Sequence, residues 1–176
     1  MRLLLRVSDV IDRVNALMGR LVAWLAVLMI AIGAGNAILR YLSRYVGANL
    51  TTNALIEAQW YLFSGIFLLG AGWALERDAH VRVDVLYGPL RARARAAIDL
   101  AGHLLLLIPF CVFAIWVCWP AVAESWRIKE QSVDPGGLPR YPVKALIIVG
   151  FYLLLFQGIG EAIKRAADLL RPAERP

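Results

Sequence analysis

Between Arg20 and Arg40 the chain carries no ionisable side chain. The run in between, Leu21–Leu39, is as long as a helix must be to cross a hydrocarbon core, about 20 residues at 1.5 Å rise. Within lipid a segment must satisfy its own backbone N–H and C=O groups, so an isolated run of this length can only be helical. Ala58–Leu75, Leu100–Trp119 and Pro142–Gly160 meet the same criterion. Leu100–Trp119 has His103 as its ionisable group, and the main polar group of Pro142–Gly160 is Gln157. With 60% hydrophobic and 18% charged residues and a mean hydropathy of +0.63, little chain is left for a soluble domain. The sequence predicts an all-α membrane protein: a single four-helix domain over residues 1–176, with spans at about 21–39, 58–75, 100–119 and 142–160.

Loop charges orient these spans. An amino terminus on the inside places Arg2, Arg6, Arg13 and Arg20 there. It also places Arg77, Arg82, Arg91, Arg93 and Arg95 inside, with Lys164, Arg165, Arg171 and Arg175. Arg40, Arg44, Arg127, Lys129, Arg140 and Lys144 fall outside, so the basic residues concentrate on the cytoplasmic side with both termini. The net charge of +6 is then explained by anionic lipid facing these loops, and no nucleic-acid motif accompanies it. A basic start followed by an apolar run resembles a cleaved signal peptide. The run is longer than such an apolar core, however, and Asp9 and Asp12 precede it.

Ahead of the first span, Val7, Val10, Ile11, Val14, Leu17, Met18 and Leu21 share one helical face. Arg6, Asp9, Asp12, Arg13 and Arg20 share the other, with Ser8 as a candidate N-cap. Residues 7–20 read as an amphipathic helix in the membrane interface before the chain turns into span one. The other reading is one long tilted helix. Leu86–Ala97, with Pro89 and alternating Arg91, Arg93 and Arg95, reads as a second interfacial segment between spans two and three. Ala58, Gly65 and Gly72 mark a small-residue face on span two, and Ala31 and Gly35 mark one on span one. Pro109 predicts a bend in span three.

Catalytic chemistry finds no foothold. No nucleophile–base pair, P-loop or clustered metal ligands occur, so the sequence predicts no enzyme and no cofactor. His80 lies in a charged string rather than on a helix facing His103, which argues against a haem; Asp99, four residues earlier, is the expected partner of His103. Cys111 and Cys118 are about 10 Å apart along one helix, too far to bridge. Glu57, at the outer mouth of span two, reads either as a first-turn carboxylate facing the helix dipole or as a docking group. His80, Arg82 and Asp84 alternate with Val81, Val83 and Val85, as in an extended segment laid along an apolar surface. Glu161 and Arg165 form an expected i,i+4 pair. The loop Ala121–Tyr141 contains Asp134-Pro135-Gly136-Gly137-Leu138-Pro139, a stiff turn, and Pro142 suits the first turn of span four.

These pieces occur in a recognisable order: an interfacial leader, Glu57 at the mouth of span two, Gly-Ala-Gly-Trp-Ala-Leu at its end, and then His80-Val81-Arg82-Val83-Asp84. The chain resembles the small integral-membrane subunit, DctQ type, of tripartite ATP-independent periplasmic (TRAP) transporters, over roughly Val7 to Arg165. The outer loop departs from the Leu-x-Ile-Pro-Trp pattern of many members, with Arg140 where Trp stands. The resemblance implies a non-catalytic small permease in the bacterial inner membrane. Its permanent partner is a large elevator-type subunit that carries the substrate and sodium sites. A periplasmic binding protein that delivers an organic acid is its transient partner. Glu57, His80, Arg82 and Asp84 are then candidate interface residues, with Gly65 and Gly72 as close-packing positions. The rival readings are a self-contained homo-oligomeric transporter or channel, which needs a polar stripe through the depth of a helix, and a haem-binding redox anchor.

Overall fold

The computed structural model describes residues 2–79 and 87–170. Four helices run alternately up and down: α1 (Arg2–Val46), α2 (Asn53–Glu76), α3 (Ala92–Arg127) and α4 (Tyr141–Leu170). Each contains one of the apolar runs and outlasts it at one or both ends, and all four are long and apolar enough to cross a membrane. No strand occurs among the described residues.

The leader is helical, as its periodicity predicts, but it does not turn before span one. At 45 residues α1 is one helix, about 67 Å long. Gly19, where a break would be easiest, is instead a close-approach point. A Cβ there would lie 2.5 Å from the Trp73 indole of α2. Packing at that notch holds the helix through the glycine, and the single-helix reading of the leader prevails over the interfacial turn.

The segment before span three likewise joins it. Ala92–Gly102 continues through a π-helical turn, His103–Leu107, into Ile108–Arg127. Pro109 lies just past that turn, after Ile108; the wider turn accommodates the missing N–H and the ring that would crowd Leu105. Of the rest of the proposed surface segment, Tyr87–Arg91 form a turn in which Leu90 N–H donates to Tyr87 O at 3.2 Å, and Leu86 lies outside the described residues.

Two helices end in the same way. After α2, Ala79 N–H donates to Ala74 O at 3.0 Å, and Asp78 adopts φ 52°. After α3, Glu130 N–H donates to Ser125 O at 3.0 Å, and Lys129 adopts φ 52°. Both are left-handed caps of the kind usually given to glycine. Asp tolerates that conformation better than most residues. Lys129 offsets it with its ammonium 5.0 Å from the ring centroids of both Trp126 and Tyr141.

Helix α4 is the hub, packing along each of the other three, whereas α3 packs mainly on α4. Its glycines explain how. A Cβ on Gly150 would lie 2.8 Å from the Leu68 carbonyl oxygen of α2, and one on Gly158 2.9 Å from Leu107 of α3. On Gly160 it would lie 3.3 Å from Ser8 Oγ of α1. Three neighbours thus reach one helix backbone at close range, where dispersion between packed surfaces holds helices together in lipid.

Candidate functional site

Two polar clasps hold the bundle, one at each end. At the end where α2 begins, Asn53, Glu57 and Tyr61 stand four residues apart on one face and grip the α3–α4 loop. Glu57 is 3% exposed. One of its carboxylate oxygens accepts from the Ser132 hydroxyl, and the other accepts from the Leu138 N–H at 2.5 Å. Tyr61 donates to the Leu138 and Pro139 carbonyls at 3.1 and 2.9 Å, and Asn53 Nδ2 to the Pro135 carbonyl at 3.0 Å. Glu57 thus directs its charge to a loop distant in sequence, a contact that neither of its two sequence readings contained.

The loop's glycines make this possible. Gly136 has φ +71°, and a Cβ on Gly137 would lie 2.5 Å from Ser132 and 2.6 Å from Glu57 Oε2. A second carboxylate, Glu130, closes the loop's other side. It accepts from the Lys144 ammonium and from Ser125 Oγ, the latter at 2.6 Å. Its backbone carbonyl accepts from Arg140 N–H at 2.8 Å. The Lys144 ammonium and the Ser125 hydroxyl hold the Glu130 carboxyl below the usual carboxylate range. A depressed folded-state pKa gives stability that is present above the unfolded value, about 4.3, and is lost as pH falls through the folded one. Protease protection of the α3–α4 loop should therefore hold at neutral pH and decline as pH falls from about 4. A Glu130→Gln variant, already lacking the charge, should show lower protection at neutral pH and a flatter decline. A decline matching the wild type would assign the effect to another carboxylate.

At the opposite end Gln157 is fully buried and links three partners. Its Oε1 accepts from Asn15 Nδ2 at 2.8 Å, and its Nε2 donates to Asp12 Oδ1 at 2.8 Å and Glu161 Oε1 at 3.1 Å. Lys164 bridges both acids with its single positive charge, lying 3.1 Å from Asp12 Oδ1 and pairing with Glu161. Ser8 Oγ donates to the Gly160 carbonyl at 3.2 Å. The expected Glu161–Arg165 pair is thus replaced by Glu161–Lys164, because Lys164 can bridge to Asp12 on α1. Arg165 instead turns to Asp99, with 3.3 Å between Nε and Oδ2. His103 bonds the Asp99 main-chain carbonyl at 2.6 Å rather than its carboxylate, which accepts from Tyr87 at 2.8 Å.

Asp12 is therefore an inward residue, where the amphipathic reading set it among the outer charges. The signal that locates it was available. Ser8, Asp12, Asn15, Gly19 and Val22 recur at alternating spacings of four and three, so the small and polar residues mark the packed face of the leader. The apolar face faces outward.

Among the other sequence candidates, Gly65 and Gly72 are both buried on α2. A Cβ on Gly65 meets only Leu25 at 3.4 Å and Leu146 at 3.8 Å. On Gly72 it would overlap Asn15 Oδ1 and sit 3.3 Å from the Leu153 carbonyl oxygen. His80, Arg82 and Asp84 lie outside the described residues. Asp78 and Tyr87, which bracket that segment, both line a cavity of about 490 Å³ together with Arg93, Asp99, Arg165 and Asp168.

No curated protein and no solved structure shows significant similarity to this chain. The family model described as tripartite ATP-independent periplasmic transporters, DctQ component, matches residues 34–168. That stretch takes in α2, α3, the Glu57 clasp and all but the final turn of α4. A multi-pass bundle whose polar groups join its own helices, matched over most of its length, belongs to the DctQ family, the small non-catalytic membrane component of TRAP transporters.

Proposed function

We propose that this chain braces the static scaffold of a large, elevator-type membrane subunit. The complex would take up an organic acid, handed over by a periplasmic binding protein, at the expense of a sodium gradient. Its place would be the bacterial inner membrane, with both termini and the 77–91 segment in the cytoplasm and the Glu57-bound loop in the periplasm. The observation that carries this reading is where the polar groups are spent. Asp12, Asn15, Gln157, Glu161 and Lys164 bond one another between α1 and α4, and Glu57 binds a loop. A carrier needs polar side chains that can exchange partners with a moving solute; a brace needs them engaged with its own helices. The family and the basic-residue distribution support the partner and the orientation.

Tagged chain, drawn from membranes that contain the products of its chromosomal neighbours, should bring down a large permease in stoichiometric amount. The reconstituted pair, given its binding protein, should take up a carboxylate only when sodium is higher outside. Recovery of the chain alone as a stable homo-oligomer would overturn the bracing reading.

A further inference from the structure

Near the end where α2 begins, α2 and α4 leave a slot open to the outside of the bundle. Trp60, Ser64 and Leu68, a turn apart on α2, form one wall, and Val143 and Ile147 of α4 form the other. Gly150 closes the floor: a Cβ there would stand 2.8 Å from the Leu68 carbonyl oxygen. The Ser64 hydroxyl donates to the Trp60 carbonyl of its own helix at 2.8 Å, so below Trp60 the walls are apolar. The slot holds about 200 Å³, drawn out along about 12 Å of helix. A second helix, about 10 Å across with its side chains, does not enter it. An extended hydrocarbon chain does.

The mouth of the slot is cationic, lined by Arg140 and Lys144. Lys144 is committed to Glu130. Arg140 is not committed. Among the described residues no carboxylate pairs with its guanidinium, and its Nε is buried without an acceptor. The guanidinium is near enough to act electrostatically on Glu57 and Glu130. Both carboxylates have other partners, however: Ser132 and Leu138 for the first, Lys144 and Ser125 for the second. A buried N–H left unbonded is costly, and the planar donor fork of arginine matches a phosphate.

Depth decides what carries that phosphate. The walls belong to the apolar runs Ala58–Leu75 and Pro142–Gly160, at hydrocarbon depth. Arg140 stands two residues ahead of the second run, at head-group depth. A soluble anion would answer the guanidinium and leave the slot without an apolar occupant. A neutral lipid would fill the slot and leave the guanidinium unanswered. A phospholipid does both, with its phosphodiester on Arg140 and one acyl chain laid toward Leu68. Trp60, 39% exposed at the mouth, adds an amphipathic ring of the kind that collects at this depth.

We propose that this slot binds one phospholipid of the leaflet on the side of the α3–α4 loop, its phosphate held by Arg140. The site needs only this chain, so it stands or falls apart from the bracing reading. The test is native mass spectrometry of the full chain in detergent. Phosphatidylglycerol, or a diacylglycerol with the same acyl chains, is the added probe. One phosphatidylglycerol per chain should stay bound, and the diacylglycerol should not. Arg140→Gln should weaken retention about tenfold. Arg140→Lys, which keeps the charge without the fork, should fall between that variant and the wild type. Ser64→Phe leaves the charge in place and fills the slot, so it should abolish retention while protease protection of the α3–α4 loop stays at the wild-type level. Equal retention of the two lipids, or none of either, would overturn the proposal. So would retention unchanged by Arg140→Gln and Ser64→Phe, or a photo-crosslinking side chain at Ser64 that captures another protein instead of lipid in native membranes.

Discussion

Gly72→Ala should be among the most damaging single-methyl additions to this protein. The new Cβ would occupy the position of Asn15 Oδ1, with the Leu153 backbone 3.3 Å away on the other side. Asn15 cannot simply swing aside, because its amide holds Gln157 at 2.8 Å and it is 1% exposed. Overpacking of this kind costs about 1–3 kcal/mol, and the unmade hydrogen bond adds about 1–2 more in a membrane interior. The decisive experiment is a double-mutant cycle. Asn15→Ala removes the obstructing amide at the cost of its own hydrogen bond, so Gly72→Ala should cost markedly less in the Asn15→Ala background than in the wild type. Additive losses, measured by unfolding in detergent, would show that the Leu153 side of the contact dominates instead.

Glu57→Ala should release the α3–α4 loop while leaving the helices in place. It strands the Leu138 N–H and the Ser132 hydroxyl at once, and both bonds are to a charged acceptor. Cleavage within residues 131–140 by an added protease should rise about tenfold or more, since local opening is governed by the contacts that hold the segment. Glu57→Gln is the sharper variant. Its side-chain oxygen retains one acceptor, so cleavage should fall between wild type and alanine. Equal cleavage in all three proteins would mean that Tyr61 and Asn53 suffice to hold the loop.

These two sites show what the sequence could and could not disclose. The spans were legible because lipid tolerates so few alternatives: Leu21–Leu39 without a charge has one structural solution. Glu57 was legible as a carboxylate at the membrane edge, yet its partners were not. Ser132 and Leu138 lie more than seventy residues away, and nothing local pairs them with α2. The clasp around Gln157 was missed for a different reason. Hydrophobic periodicity assigns the apolar side of a helix to the core, whereas in lipid the relation can invert. Asp12 and Asn15 are turned inward because hydrocarbon offers them nothing. Gly72 was marked as a small residue on span two, but its neighbour Asn15 drew no notice as a lone polar residue in an amphipathic leader. Of His80, Arg82 and Asp84 only the bracketing residues Asp78 and Tyr87 are placed, on the wall of one cavity.

The central position of α4 bears on how the molecule is made. Ribosomes deliver helices in chain order, and α4 is the last of the four. Until it enters the membrane, α1 and α2 can pair with each other, but α3 has no substantial partner, and Asp12 on α1 has neither Gln157 nor Lys164. The half-made protein is therefore a hairpin plus a stray helix, with an uncompensated acid at its edge. The arrival of α4 is what supplies its three glycine contacts and the Gln157 cluster. A bundle assembled in that way has little use for partly folded states, and a quality-control protease that recognises unpaired charge beside the bilayer would have a clear mark to distinguish unfinished chains from finished ones.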